Sequence, residues 1–167
     1  YQLVYGLSPG KVNVPFGKGI VHSAKRNTLL ARGTTPENSP EVENIRTVGI
    51  TGTNGKTTTA YFIKNIFETA GNRVGLVGTI MNYIGKEKIE SKLTTPESRD
   101  LNRIFLEIKQ AGCEYAVMEV SSHSLALNRV HNLHFSSAIF TNITAEHLDF
   151  HSNFNNYLSA KKLLFDN

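Results

Sequence analysis

The run TVGITGTNGKTTT at residues 47–59 decides how the rest of the chain is read. Its opening, Thr47 to Thr51, is β-branched apart from Gly49 and predicts a buried parallel strand. From Thr58 to Ala70, apolar or aromatic residues fall at Ala60, Phe62, Ile63, Ile66 and Phe67, the spacing of one helix face. The glycines therefore lie where a strand turns into a helix. The first N–H groups of a helix have no intrahelical partner, and the helix dipole favours an anion there. Gly52 and Gly55 let the backbone wrap a phosphate with no Cβ in the way. Lys56 can reach β- and γ-phosphates, and the Thr57 hydroxyl suits Mg²⁺. Ile50 stands where the phosphate-loop pattern has its first Gly. The alternative, a Gly-rich turn with a chance Lys-Thr, is disfavoured by strand, loop and helix coming in order.

Outward from this loop the pattern stays α/β. Residues 73–79 (RVGLVGT) predict a second strand. Residues 80–84 and 88–91 predict a hairpin turning at Gly85-Lys86. Thr95, Pro96 and Glu97 read as N-cap, first helical residue and dipole-complementing acid. The helix they open runs to Gln110, with Leu101, Ile104, Phe105 and Ile108 on one face and Gly112 near its end. Residues 115–120 (YAVMEV) and 136–143 (SSAIFTNI) predict two further strands. Residues 153–165 predict a last helix with Phe154, Tyr157, Leu158, Lys161, Leu164 and Phe165 on or near one face. The expected fold is an α/β phosphate-loop mononucleotide-binding fold with a mainly parallel sheet flanked by helices. Residues 1–46 are a basic segment or linker with Lys11, Lys18, Lys25, Arg26 and Arg32, more simply solvated lysines than a phosphate-contacting surface. A trimmed start is expected because no Met opens the chain.

The bulk numbers set limits. At 167 residues the chain is about one domain, able to bury a real core. No apolar run approaches a membrane span, and no signal peptide opens the sequence. The single cysteine, Cys113, excludes an internal disulfide framework and fits a cytoplasmic setting. A formal charge of +4, scattered and without interleaved aromatics, gives nucleic-acid binding no support. A locally positive cleft would suit phosphorylated, acidic small molecules.

Four further places carry chemistry. Glu119 ends a predicted buried strand, where ligands bind in open parallel sheets, and a carboxylate facing a phosphate loop is a natural Mg²⁺ ligand. Ser121-Ser122-His123-Ser124 follows; a serine nucleophile is disfavoured for want of a G-x-S-x-G elbow, and Ser121 can instead cap the next helix. In residues 142–151 (NITAEHLDFH), His147 and Asp149 can contribute to a second divalent-ion position. Lys161, on the inner side of its helix, reads by itself as a snorkelling lysine.

Five stretches in order, residues 49–58 (GITGTNGKTT), 94–97 (TTPE), 118–125 (MEVSSHSL), 140–151 (FTNITAEHLDFH) and 157–161 (YLSAK), make residues 47–167 resemble the central ATP-binding domain of the Mur ligases, nearest the MurE type. That resemblance implies an ATP-dependent amide ligase of peptidoglycan synthesis. Its substrate would be UDP-N-acetylmuramoyl-L-alanyl-D-glutamate, to which it adds diaminopimelate or lysine through an acyl phosphate. It implies that Gly52, Thr53, Asn54, Gly55, Lys56, Thr57 and Thr58 bind the ATP phosphates, that Thr57 and Glu119 hold one Mg²⁺, and that His147 helps hold a second. Lys161 falls where the family has a carbamylated lysine on that second ion, against its reading as a solvated side chain. Thr94, Thr95, Ser121 and Arg129 match positions that contact the UDP-muramoyl-dipeptide. Leu127 replaces a Gln of some relatives, and Glu146 replaces the Asp of the common Asp-His-Leu-Asp. The expected protein is a cytoplasmic monomer and an incomplete central domain, inactive by itself. Another ligase of the Mur/folylpolyglutamate type, or an inactive nucleotide-binding fragment, is the alternative.

Overall fold

The computed structural model describes residues 45–166; the reading of the N-terminal segment as a linker lies almost wholly outside them. Strand β1 (Arg46–Thr51) leads into helix α1 (Lys56–Thr69), and β2 (Val74–Val77) follows. A hairpin of β3 (Met81–Ile84) and β4 (Glu87–Glu90) precedes α2 (Ser98–Gln110) and β5 (Tyr115–Glu119). Next come α3 (Ser122–Ala126), β6 (Ser137–Phe140), α4 (Leu148–His151) and α5 (Phe154–Lys162). One six-stranded sheet runs β4-β3-β2-β5-β1-β6. Its β2-β5-β1-β6 part is parallel, and the hairpin is antiparallel. This is the mainly parallel α/β sheet that the sequence predicts.

Period-2 alternation divides the core between the two sheet faces. Val48, Ile50, Val74, Leu76, Val117 and Ile139 pack with Ala60 and Ile63 of α1. Ala116, Met118 and Val77 face the other way, into a larger cluster with Leu101, Ile104, Phe105 and Ile108 of α2. Gly75 is what lets α2 sit so close: a Cβ there would meet the Ile108 side chain at 2.6 Å.

Three local expectations are corrected. Phe62 and Ile66 are 64% and 58% exposed, so the buried stripe of α1 is narrower than its apolar spacing implies. Phe154 of α5 is likewise 39% exposed, while Tyr157, Lys161 and Leu164 are buried. Thr95 does not cap α2; its N-cap is Glu97, which makes no side-chain capping bond, and the Thr95 hydroxyl is drawn instead to the end of β5.

Candidate functional site

Parallel strands share one carboxyl edge, and there the chemistry-bearing residues converge. Gly52 follows β1, Thr79 follows β2, Glu119 ends β5, and Thr141 and Asn142 follow β6. The turn between β1 and α1 needs backbone that side chains resist: Gly52 has φ +145° and Gly55 has φ +84°. A Cβ on Gly52 would also collide with the Thr141 hydroxyl.

Segment 141–144 braces the loop. Asn142 accepts the Asn54 N–H at 3.0 Å and donates to the Asn54 carbonyl at 3.0 Å, and Thr141 donates to that same carbonyl at 2.7 Å. Thr53 lies between the Thr144 backbone and the Tyr157 hydroxyl, 2.9 Å away. Thr58 is exposed in the first turn of α1.

Two lysines close on the loop. Lys56 Nζ donates to the carbonyls of Gly52 and Thr53, each at 2.8 Å. Lys161 Nζ, on a residue only 2% exposed, donates to the Gly52 carbonyl at 2.9 Å and lies 4.5 Å from the centre of the Tyr157 ring. Lys161 is therefore no snorkelling residue. Burial, and then repulsion from Lys56, bring its pKa down to about 8. Burial also lowers the pKa of Lys56, against the opposing pull of Glu119 and Glu146.

Glu119 is fully buried. Its Oε2 accepts the Thr57 hydroxyl at 2.8 Å, and its Oε1 accepts the Thr79 N–H at 2.9 Å. A hydroxyl and a carboxylate meeting at the mouth of a phosphate loop are hard oxygen donors of the kind Mg²⁺ takes, with phosphate oxygens completing its shell. Among the described residues no group of three or more His, Cys, Asp or Glu is arranged so that it could by itself hold a metal ion.

The residues on the expected second-ion side gather around two aromatic rings. His147, at φ 55°, stands edge-on to His123 with ring centres 4.8 Å apart, and lies 6.2 Å from the Tyr157 ring. Glu146 is 3.7 Å from His147. Asp149 is exposed, its charge felt at His123 and His151. As an ammonium, Lys161 offers hydrogen-bond donors rather than a lone pair.

The expected substrate-facing residues form one network. Thr95 donates to the Glu119 carbonyl at 2.9 Å and accepts the Ser121 N–H at 3.1 Å. Ser121 caps α3 by accepting the Ser124 N–H at 3.1 Å. Arg129 pairs with Glu97 at 2.7 Å and donates to the Thr95 carbonyl at 3.3 Å. Its Nε is buried without a hydrogen-bond partner, which leaves guanidinium capacity unspent. Thr94 is 3.1 Å from the Thr79 hydroxyl. Leu127 is exposed.

Ser122 is 2% exposed and bonds His151 Nε2 at 3.0 Å. Sequence reasoning passed over Thr79, Thr141, Asn142, Tyr157 and the Ser122–His151 pair. Ser122, Thr141, Asn142, His151 and Tyr157 lie within the stretches that carry the resemblance, whereas Thr79 offered only its place after a strand.

Comparison with known proteins supplies a second line. A family model described as Mur ligase middle domain matches residues 50–167. A Clostridium tetani protein named UDP-N-acetylmuramoyl-L-alanyl-D-glutamate--2,6-diaminopimelate ligase is 52% identical over 125 residues, which are 75% of this chain and 26% of that protein. A Clostridium acetobutylicum protein of that name, numbered 1, is 49% identical over 142 residues, 85% of this chain and 29% of its own length. A solved structure of a ligase of the same name superposes with a TM-score of 0.65 at 29% identity, covering 72% of this chain and 24% of its own. The chain thus spans about a quarter of the length of the relatives it matches.

Proposed function

This chain belongs to the Mur ligase family, and on that premise we propose that it is the nucleotide- and cation-binding part of an ATP-dependent amide ligase of peptidoglycan synthesis. The observation that carries the reading is the meeting of Lys56, Thr57, Glu119 and Lys161 at one loop. The substrate proposed is UDP-N-acetylmuramoyl-L-alanyl-D-glutamate. The names of the relatives favour diaminopimelate as the amino acid added.

In the proposed reaction the terminal D-glutamate carboxylate attacks the γ-phosphorus of ATP, and ADP leaves. The amine of the incoming amino acid then attacks the acyl carbon, inorganic phosphate leaves, and the amine proton passes to solvent or base. The loop N–H groups between Gly52 and Thr58 would take phosphate oxygens. Lys56 would move from the loop carbonyls to the β- and γ-phosphates, exchanging two neutral acceptors for charged ones. Thr57 and Glu119 would hold Mg²⁺, with His147 and a carbamylated Lys161 at a second ion; these ions would neutralise phosphate charge as it shifts. Thr94, Thr95, Ser121 and Arg129 would position the acidic substrate, and the partly unspent guanidinium of Arg129 suits a carboxylate or phosphate. The domain is taken as residues 47–167, with a monomeric, cytoplasmic setting; among the described residues no helix is long and apolar enough to cross a membrane.

Calorimetry with Mg-ATP on this chain and on Lys56→Ala tests the reading. Weak binding that vanishes in the variant is expected, with no tripeptide formed by these 167 residues alone. Equal binding by both proteins would overturn the assignment of the loop, and tripeptide formation would overturn the assignment of an incomplete site.

A further inference from the structure

Glu119 is the most deeply buried acid of the site, yet no lysine or arginine pairs with it among the described ion pairs. Besides Thr57 of the phosphate loop, what holds its side chain is one residue, Thr79, just past the end of β2. The Thr79 N–H reaches Oε1 at 2.9 Å, and the Thr79 hydroxyl reaches Oε2 at 3.1 Å. Both carboxylate oxygens are thus gripped by a single side, which fixes the plane of the carboxylate. The oxygen toward the phosphate loop, Oε2, keeps its contact with Thr57 at 2.8 Å. The grip needs Gly78 before it, because a Cβ there would collide with Oε1.

The same hydroxyl lies 3.1 Å from Thr94 Oγ1. A hydroxyl has one proton and two lone pairs, so Thr79 cannot donate to both neighbours at once. A carboxylate is the stronger acceptor, so the Thr79 proton favours Glu119, with Thr94 Oγ1 beside it as the second acceptor of the same hydroxyl. The Thr79 hydroxyl thus stands between Thr94, at the expected substrate end of the cleft, and Glu119, at its cation end.

We propose that Thr79 is a positioning residue, which orients Glu119 for a divalent cation and ties that carboxylate to Thr94. The proposal rests on the reading of Thr57 and Glu119 as the cation-holding pair. Carboxylates that ligate metals depend on the groups that hydrogen-bond them from behind, and removing such a group commonly costs tenfold or more in metal affinity. Thr79 itself is exposed, so removing its hydroxyl leaves the core intact.

The test is calorimetric titration of ADP, with Mg²⁺ and separately with EDTA, into the full chain and into Thr79→Val, Thr79→Ser, Thr94→Val and the Thr79→Val/Thr94→Val double variant. The valine retains shape and the backbone arm of the grip; the serine retains the hydroxyl. The expected result is a loss of about tenfold in Mg-ADP affinity for Thr79→Val, restored in Thr79→Ser, with metal-free ADP affinity equal in all. Thr94→Val loses less, and the double variant is no weaker than Thr79→Val, since Thr94 acts through Thr79. Mg-ADP bound equally by Thr79→Val and the parent chain overturns the inference and leaves the site reading standing. So does a loss that persists in EDTA, one that serine does not restore, or additive losses in the double variant. A parent chain whose ADP affinity does not respond to Mg²⁺ overturns the site reading, and the inference falls with it.

Discussion

The Gly52 carbonyl accepts hydrogen bonds from two ammonium groups, those of Lys56 and Lys161, at 2.8 and 2.9 Å. Two like charges on one oxygen raise the cost of keeping both. The cost falls mainly on Lys161, which is buried and has its pKa brought down to about 8. From that value roughly one amine in ten is neutral at pH 7, far more than for an ordinary lysine. A neutral amine is what carbon dioxide adds to, so this ionisation suits the proposed carbamate. Burial is the first cause of the shift and repulsion from Lys56 the second. Lys56→Ala removes the second alone, so the Lys161 pKa should rise above about 8 while staying below the ordinary lysine value. An NMR titration of the Lys161 side chain reads this; a pKa unchanged or lowered in the variant would refute the account. At Tyr157, the hydroxyl bonded to Thr53 is buried. Tyr157→Phe should cost about 1 kcal/mol of unfolding free energy in urea, the net worth of one such bond.

At the scale of elements, α4 shows how the loop bearing His147 is held. This single turn lies between two non-glycine residues in the left-handed region, His147 at φ 55° and Ser152 at φ 68°. Each such residue costs on the order of 1–3 kcal/mol and persists only where its surroundings enforce it. Here the enforcement comes from the buried His151–Ser122 bond and from Asn156 donating to the His151 carbonyl at 3.0 Å. Burial, and then the neighbouring histidines, hold the pKa of His151 below the ordinary value; His123 is lowered in the same way. Below the ordinary histidine pKa the unfolded chain takes protons that the folded chain refuses, so this contribution to stability is lost as pH falls through that window. Unfolding free energy should therefore drop between pH 7 and pH 5, and drop less in His151→Gln, which can still bond Ser122 but does not titrate. Parallel curves for the two proteins in urea would show that His151 is not a source of the acid sensitivity. The sequence made the strands, α1, α2 and the phosphate loop legible because each rests on a local period or a fixed spacing. It did not make α4 or the Ser122–His151 bond legible, because their partners lie 29 residues apart and no period joins them. Thr95 misled for a related reason. Its Thr-Pro-Glu context is that of a helix start, but the nearby end of β5 competes for the same hydroxyl and wins.

Across the whole molecule, the sheet separates two apolar clusters of unequal size, and burial ranks residues that apolar spacing treats alike. Phe62 and Phe105 are both aromatic, both inside helices, and both expected on an apolar face. Phe62 is 64% exposed, whereas Phe105 is fully buried in the larger cluster. The difference follows from neighbours. Ala60 and Ile63 already fill the contact of α1 with one sheet face, while α2 lies against Gly75, whose missing side chain leaves space that Ile108 fills. Removing a fully buried aromatic side chain loses both its transfer free energy and its packing contacts, typically 3–5 kcal/mol, whereas surface substitutions usually stay within about 0.5 kcal/mol. Phe105→Ala should thus take a large share of the 5–15 kcal/mol that holds a domain of this size together. Phe62→Ala should leave the unfolding midpoint nearly unchanged. Urea titrations of the two variants compare them directly. A loss at Phe62 approaching that at Phe105 would mean that the outer face of α1 is covered in solution, and that the two-cluster division understates the core.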